Sequence, residues 1–207
     1  MSSYSRFLRD VAIWLVPSVL LWIGVTPFYN RFLRESAETV VRLTERPAVT
    51  HLYPAPKSET RANQEIHYLV ITRDDHSAKK GFLYSVRTTD LHFPMVYLWA
   101  MFMAVPGVPL TTRLARTGWA TLIQVFFHVI LLLFWVKFAF ATQLGDWSQA
   151  HYGSFAQTFW GLGKHLLDLP FKFGLPLILF AAYYYDWLLS GARGGVAVEP
   201  PRKAVSR

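Results

Sequence analysis

The chain has 207 residues, of which 53% are hydrophobic, 16% aromatic and only 16% charged, and its formal net charge is +8. Soluble domains are about a quarter charged, so this composition indicates a membrane protein and excludes a disordered chain, a coiled coil and a collagen-like repeat. The sequence contains no cysteine, which excludes disulfides, Cys-ligated metal sites and thiol nucleophiles.

Four apolar stretches are long enough to cross a bilayer, which takes about 20 residues of helix. Proline is tolerated in a membrane helix when neighbours satisfy the freed carbonyl, so Pro17 and Pro106 predict kinks rather than breaks. No small-x-small cleavage site follows the first stretch, so we expect it to be an uncleaved anchor. The predicted spans cover residues 11–29, 91–110, 118–141 and 171–190.

The basic residues predict the orientation of these spans, because short cytoplasmic segments are enriched in Lys and Arg. With four spans they fall on one side, so both termini are expected in the cytoplasm and residues 30–90 and 142–170 outside it. No basic face with interleaved aromatics marks a nucleic-acid site, and nucleic acid is not expected as a partner. The basic residues that set the orientation are Arg6, Arg9, Arg113, Arg116, Arg193, Arg202, Lys203 and Arg207.

The segment between the first two spans predicts a small α+β unit. Residues 32–46 have the periodicity of an amphipathic helix that continues out of the first span. Its apolar face is expected to contain Leu33, Ala37, Val40, Val41 and Thr44. Residues 49–53 predict a short strand, and residues 64–73 and 81–88 alternate as the two strands of a β-hairpin around a polar turn.

An isolated hairpin is marginal in water, so this one must pack on the helix, on membrane-proximal loops or on a partner. A partner surface is where a function could reside. The aromatic residues of the two strands, Tyr68, Phe82 and Tyr84, are therefore candidates for interaction.

The second outer segment predicts a helix at about residues 154–167. Phe155, Phe159 and Leu162 recur at helical spacing, which indicates a helix lying along the outer membrane surface. Gly161 and Gly163 predict that this helix is flexible, because glycine is a weak helix former.

His128 lies near the middle of the third span, one helical turn after Gln124, so the two share a face. An ionisable residue at this depth is a functional hypothesis by default. The reading we favour is a neutral imidazole that hydrogen-bonds across a helix interface. A haem would want a second axial ligand, and the other histidines lie in or beside the outer segments. We therefore expect no cofactor, with His128 as the one candidate ligand.

Two further ionisable residues lie near the ends of the spans. Lys137 is expected to extend its ammonium to the lipid headgroups. Asp186, at the inner end of the fourth span, could pair with Arg113, Arg116 or Arg193.

No catalytic motif is found in the sequence. Neither G-x-S-x-G nor a phosphate-binding loop occurs, and H-E-x-x-H is absent. Asp74 and Asp75, between His67 and His76, are typical of a polar turn rather than of a metal site. We therefore predict a protein that is not an enzyme and holds no metal.

These observations predict a mainly α membrane protein with four transmembrane helices and a small extracytoplasmic α+β segment, a helix plus a β-hairpin, between spans 1 and 2. Its parts are a cytoplasmic N-terminus with span 1 (1–29), the extracytoplasmic segment (30–90), spans 2–4 with the outer interfacial helix (91–190) and a basic cytoplasmic tail (191–207).

Four stretches of this layout are distinctive: RFLRDVAIWLVPSVLLWIGVTPFYN, FLYSVRTT, LHFPMVYLWAMFMAVPGVP and FAFATQLGDW. In these stretches and their order the chain resembles the exosortase-associated membrane proteins of Gram-negative bacteria. The resemblance covers about residues 6–190. In that family the second span usually opens on an Asn-Pro-Leu-like start, where this chain has residues 90–94, DLHFP.

The resemblance implies a multi-pass accessory protein of the bacterial cytoplasmic membrane, beside an intramembrane sorting peptidase. Its partners would be other integral membrane proteins, an exosortase-like peptidase among them, and the lipid bilayer. Two alternatives stay open. One is a structural subunit of a photosynthetic or respiratory complex, suggested by the aromatic content and His128. The other is a small membrane enzyme acting at the outer face through His92, His151, His165 or Lys137.

Overall fold

A computed structural model describes residues 3–45, 48–54, 68–75 and 84–192 of the chain. The helices are α1 (Ser3–Thr44), α2 (Thr88–His92), α3 (Met95–Met103), α4 (Leu110–Thr142), α5 (Asp146–His151), α6 (Ser154–Leu166), α7 (Lys172–Tyr183) and α8 (Tyr185–Ala192). A π-helical turn, Leu167–Phe171, joins α6 to α7. The strands are β1 (Thr50–Pro54), β2 (Tyr68–Arg73) and β3 (Tyr84–Arg87).

Among the described residues, three helical runs are long and apolar enough to cross a membrane: Tyr4–Thr44, Leu110–Thr142 and Ser154–Tyr183. The prediction of a membrane protein is therefore confirmed at this level. The first run contains both the first predicted span and the amphipathic helix that was predicted to continue from it. It passes through Pro17 and Pro27 without interruption.

The three strands form one antiparallel sheet in the order β1-β2-β3. Leu52 of β1 faces Ile71 of the central strand, and Ile71 in turn faces Tyr84 of β3. The predicted hairpin is β2–β3, and the predicted short strand adds to its other edge as β1. Residues 64–67 and 81–83 of the two predicted strands lie outside the described residues.

One apolar core joins this sheet to the helices, as the marginal stability of a lone hairpin required. Leu33, Ala37 and Val41 of α1 are buried, as the amphipathic pattern predicted. They form one cluster with buried residues of the sheet and of the C-terminal half of α4, which include Leu52, Leu69, Ile71, Val86, Leu131, Leu132, Val136 and Phe140.

The predicted second span is divided in the structure. Helix α3 ends at Met103, and Pro106 lies in the turn that follows, so the expected kink is a break. A proline at 106 cannot donate the helical hydrogen bond to the carbonyl of Phe102, which instead accepts one from Tyr184 Oη at 3.2 Å. Gly107 has φ +78°, a left-handed conformation that glycine adopts without strain.

The outer helix differs from its prediction as well. Instead of forming a separate element, α6 continues through the π-helical turn into α7 and packs antiparallel along α4. Phe134 contacts Trp160 at 5.1 Å between ring centroids, and Arg116 lies over Tyr184 near the other end. Gly163 allows the close approach, because a Cβ there would lie 2.2 Å from the ring of Phe134.

The two ends of the described chain lie together. Tyr4 Oη donates a hydrogen bond to the carbonyl of Leu188 at 2.8 Å. Phe7 stacks on Phe180 with 5.4 Å between ring centroids. A second apolar cluster at this end joins α3, α4, α7 and α8.

Candidate functional site

A buried hydrogen-bond network joins α1 to α4 around Tyr29. His128 Nδ1 lies 2.8 Å from Tyr29 Oη, and its Nε2 lies 3.0 Å from the Nε2 of Gln124, which donates to it. Because His128 Nε2 accepts, Nδ1 carries the proton and donates to Tyr29. The imidazole is thus neutral and bonded across a helix interface, in the arrangement that we favoured from the sequence. Tyr29 is the last residue of the first predicted span.

Gln124 is fully buried, and its Oε1 has no hydrogen-bond partner among the described residues. A buried acceptor without a partner destabilises a fold by about 1–3 kcal/mol. The network is therefore held in place by the packing around it as well as by its own bonds.

His92 lies next to this network, which corrects its placement beside an outer segment. Its Nδ1 accepts from Trp22 Nε1 at 2.9 Å, so its Nε2 carries the proton and donates to Asn30 Oδ1 at 2.8 Å. The ring of Tyr29 lies edge-on to His92, with 5.0 Å between centroids, and 6.0 Å from His128. Two imidazoles therefore converge on one tyrosine in the interior of the bundle.

This network is better suited to fixing helices than to holding a cofactor. Each imidazole uses both ring nitrogens within the chain, so an iron or another metal could bind only by displacing Tyr29, Gln124, Trp22 or Asn30. Over the described residues, no group of three or more His, Asp and Glu side chains is placed to bind a metal ion.

A second polar cluster, which we call the outer ionic cluster, is formed by Glu45, Thr50, Arg73, Asp75 and Lys137. Glu45 and Arg73 expose only 7% and 10% of their side chains, and Arg73 Nη1 donates to Glu45 Oε1 at 3.0 Å. Thr50 donates to the other carboxylate oxygen at 2.6 Å, and the Lys137 ammonium lies 3.8 Å from Glu45. The cluster thus ties the end of α1 to the sheet and to α4.

Lys137 therefore does not occupy the place expected for it. Its side chain is 12% exposed and pairs with Glu45 inside the protein rather than extending to lipid headgroups. The carboxylate that attracts it comes from a residue 92 positions earlier in the sequence, so local sequence gave no sign of the pair.

The guanidinium of Arg73 contacts two aromatic rings and a second carboxylate. Its guanidinium lies between the rings of Phe140 and Trp147, at 4.6 and 4.5 Å from their centroids. It also donates two hydrogen bonds to Asp75, both at 2.8 Å. These bonds from Arg73 lower the pKa of the Asp75 carboxyl below its usual value.

A groove of about 660 Å³ runs between the C-terminal part of α1 and strand β1. The edge of β1 inside it is partly covered, because Glu38 accepts a hydrogen bond from the backbone N–H of Leu52 at 3.1 Å. His51 lies between Glu38 and Asp74, at 3.5 and 3.1 Å. The groove, which we call the α1–β1 groove, is lined by Arg34, Glu35, Glu38, Thr39, Arg42, Leu43, Ala48, Leu52 and Tyr53.

The remaining predicted residues are dispersed. Asp186 is exposed and forms no ion pair with Arg113 or Arg116, while Arg193 lies outside the described residues. Arg113 donates instead to the carbonyl of Met103. Tyr68 and Tyr84 lie on neighbouring strands, opposite Arg87 and Ile71, and Phe82 lies outside the described residues.

Sequence reasoning missed the partners of both clusters. Tyr29 and Arg73 were the last residues of a predicted span and of a predicted strand, and Asn30 and Glu45 were given no role. The signal that could have suggested Arg73 is its position at the end of an apolar strand, followed directly by two aspartates.

Comparison of the chain with known protein families, curated proteins and solved structures found no match.

Proposed function

We propose that this protein is a non-enzymatic accessory or assembly subunit of a multi-protein complex in the bacterial cytoplasmic membrane. The observation that carries the proposal is the way in which the sheet is fixed to the membrane helices. The outer ionic cluster and the apolar core hold it against α1 and α4, and the α1–β1 groove stays open beside it. A docking surface held rigidly binds a partner at a lower entropic cost than a mobile one.

The position of the chain ends supports four crossings of the membrane with both termini in the cytoplasm. Tyr4 bonds to Leu188, so the start of α1 and the end of α8 lie at one end of the bundle. Three crossings would separate them, and the α2–α3 segment supplies the fourth as two short helices packed between α1, α4 and α7. The arginines near this end, such as Arg9 and Arg116, favour the cytoplasmic side.

The α1–β1 groove supports a protein partner rather than a small substrate. It offers both signs of charge, from Arg34 and Glu38, next to apolar side chains. Leu43 is 81% exposed and Tyr53 52% exposed at its rim. Aromatic and apolar residues framed by charges are typical of protein interfaces.

The choice of an envelope protein-sorting system, with an exosortase-like peptidase as partner, rests on the resemblance in segment layout. A cofactor-binding subunit of a photosynthetic or respiratory complex gains no support from His128, because both of its ring nitrogens are bonded within the chain. An enzyme acting through Lys137 would have to break its ion pair with Glu45. One acting through His92 would have to break that residue's hydrogen bonds to Trp22 and Asn30.

Affinity purification of the tagged full-length protein in a mild detergent, followed by mass spectrometry, tests the proposal. We expect a multi-span peptidase or a defined set of membrane subunits at fixed stoichiometry. Leu43→Glu places a charge at the rim of the α1–β1 groove and should lower the recovery of that set about tenfold, which corresponds to roughly 1.4 kcal/mol.

Gln149→Glu is the matched control, since Gln149 is exposed on α5 outside the groove. Recovery of the wild-type chain alone, as a stable monodisperse species, would contradict the proposal. Equal losses of the partner set in the two variants would place the interaction elsewhere than the groove. Deleting residues 49–88 is the less specific test, because it also removes Arg73 from Glu45.

A further inference from the structure

Three charged side chains of α6, the π-helical turn and α7 form a separate cluster in the third long helical run. Lys164, Asp168 and Lys172 follow one another at intervals of four residues. Lys164 is 9% exposed and Lys172 8% exposed, so both ammonium groups are largely enclosed by protein. Charged residues in such a position are rare and mark functional sites more often than not.

The three groups do not balance in charge. Lys172 Nζ donates to Asp168 Oδ1 at 2.8 Å, which closes a tight pair. Lys164 Nζ lies 3.8 Å from the other carboxylate oxygen. Within the described part of the chain, no other carboxylate lies within 4.0 Å of either ammonium, so one positive charge is left over and Lys164 carries it.

Two aromatic rings of α4 lie against the Lys164 ammonium. Its ammonium lies 3.8 Å from the centre of the Trp135 ring and 5.5 Å from that of Phe138. A cation is attracted to the faces of such rings, but an aromatic face neutralises no charge. A buried net positive charge destabilises the folded protein unless an anion neutralises it.

The sequence places this surplus charge at the edge of the membrane. Lys164 precedes Tyr184, which lies beside Arg116, by 20 residues of nearly continuous helix, and about 20 residues are needed to cross the bilayer. Lys164 therefore lies at the edge of the hydrocarbon on the side opposite Tyr4 and Leu188. The anion that is abundant at this level is the phosphate of a lipid headgroup.

We propose that Lys164, held by Asp168 and Trp135, is a binding site for the phosphate of an anionic phospholipid. The Lys172–Asp168 pair positions the carboxylate, and the remaining N–H donors of the Lys164 ammonium bind the phosphate oxygens. The inference does not depend on the proposed accessory function, since lipid binding can be measured on the protein alone.

Native mass spectrometry of the full-length protein, released from nanodiscs, tests this site. The discs contain equal amounts of phosphatidylglycerol and phosphatidylcholine with the same acyl chains. The wild-type protein should retain phosphatidylglycerol about fivefold more than phosphatidylcholine, the size expected for one basic side chain near an anionic surface. Lys164→Gln should abolish the preference, and Lys164→Arg should keep it.

Arg31→Gln is the matched control, because Arg31 is an exposed cation whose partner Glu35, at 2.9 Å, is not shared with a lysine. Asp168→Asn releases both ammonium groups and should raise the preference above that of the wild type. Equal losses in Lys164→Gln and Arg31→Gln would overturn the proposal, as would an unchanged preference in Lys164→Gln. Inorganic phosphate at about 10 mM, in roughly physiological salt, is the competitor. If it releases the retained lipid, the site binds free phosphate, and the proposal is also overturned.

Discussion

Glu45, at the end of the first helix, accepts a hydrogen bond of 3.0 Å from Arg73 at the end of the central strand. This pair connects the first long helix to the three-stranded sheet. Arg73→Met should destabilise the protein by about 3 kcal/mol, because it leaves Glu45 buried with only Lys137 and Thr50. Thermal unfolding in detergent measures the change.

Arg42→Met is the control for the removal of one arginine. Arg42 is 41% exposed and lies 3.5 Å from Glu38, so its loss should change stability by less than about 1 kcal/mol. Equal effects of the two substitutions would show that the outer ionic cluster does not hold the sheet.

The attachment of the sheet should weaken in acid. The pKa of Asp75 is lowered in the folded protein by its hydrogen bonds from Arg73. The stability that this carboxylate contributes is thus present above its unfolded pKa of about 3.9 and is lost as the pH falls through the lower folded value. Fluorescence of Trp147, which lies on Arg73, should report the loosening below about pH 4. Asp75→Asn should lack this transition, and an unaltered acid transition in that variant would refute the assignment.

The contact between Gly163 and Phe134 predicts opposite outcomes for two neighbouring glycines. Gly163→Ala should destabilise by about 1–3 kcal/mol, since its Cβ would meet the ring of Phe134 at 2.2 Å. Gly161→Ala places its Cβ 3.8 Å from Phe138 and should be neutral or stabilising by up to about 1 kcal/mol, because alanine favours the helix. Chemical unfolding in micelles compares them. A neutral Gly163→Ala would mean that α6 does not pack on α4 in this way.

Removal of the Tyr29 hydroxyl should weaken the interior network. Tyr29→Phe leaves His128 Nδ1 without its 2.8 Å partner and should cost about 1 kcal/mol. Tyr185→Phe removes a hydroxyl from a residue that is 61% exposed and should cost nothing measurable. The difference between their melting temperatures is the measurement. Equal melting temperatures of the two variants would show that the hydrogen bond between Tyr29 and His128 does not stabilise the fold.

Much of the helical architecture could be predicted from the sequence. The amphipathic period of residues 32–46 identified Leu33, Ala37 and Val41 as buried, because a long helix packs along one stripe. Alternation identified strands β2 and β3. These features depend on local pattern, which a single sequence contains.

The rest depends on contacts between distant segments. The carbonyl of Phe102, which Pro106 cannot bond, is satisfied by Tyr184, 82 residues later. His92 and His128 lie near each other because α1 contacts both, through Trp22 and Asn30 for the first and through Tyr29 for the second. From the sequence, the two glycines of α6 were interpreted as making the helix flexible, whereas in the structure Gly163 allows a close approach to Phe134. None of these relationships has a local signature.

The most direct test of the central proposal is site-specific photo-crosslinking in living cells. A photoreactive amino acid at Leu43, on the rim of the α1–β1 groove, should give one discrete crosslinked product that mass spectrometry identifies as a membrane protein of the same complex. The same probe at Gln149, exposed on α5, should give none. A discrete product at 43 alone is the result that an accessory subunit predicts. No product at either position, or the same product at both, would contradict a docking role for the groove.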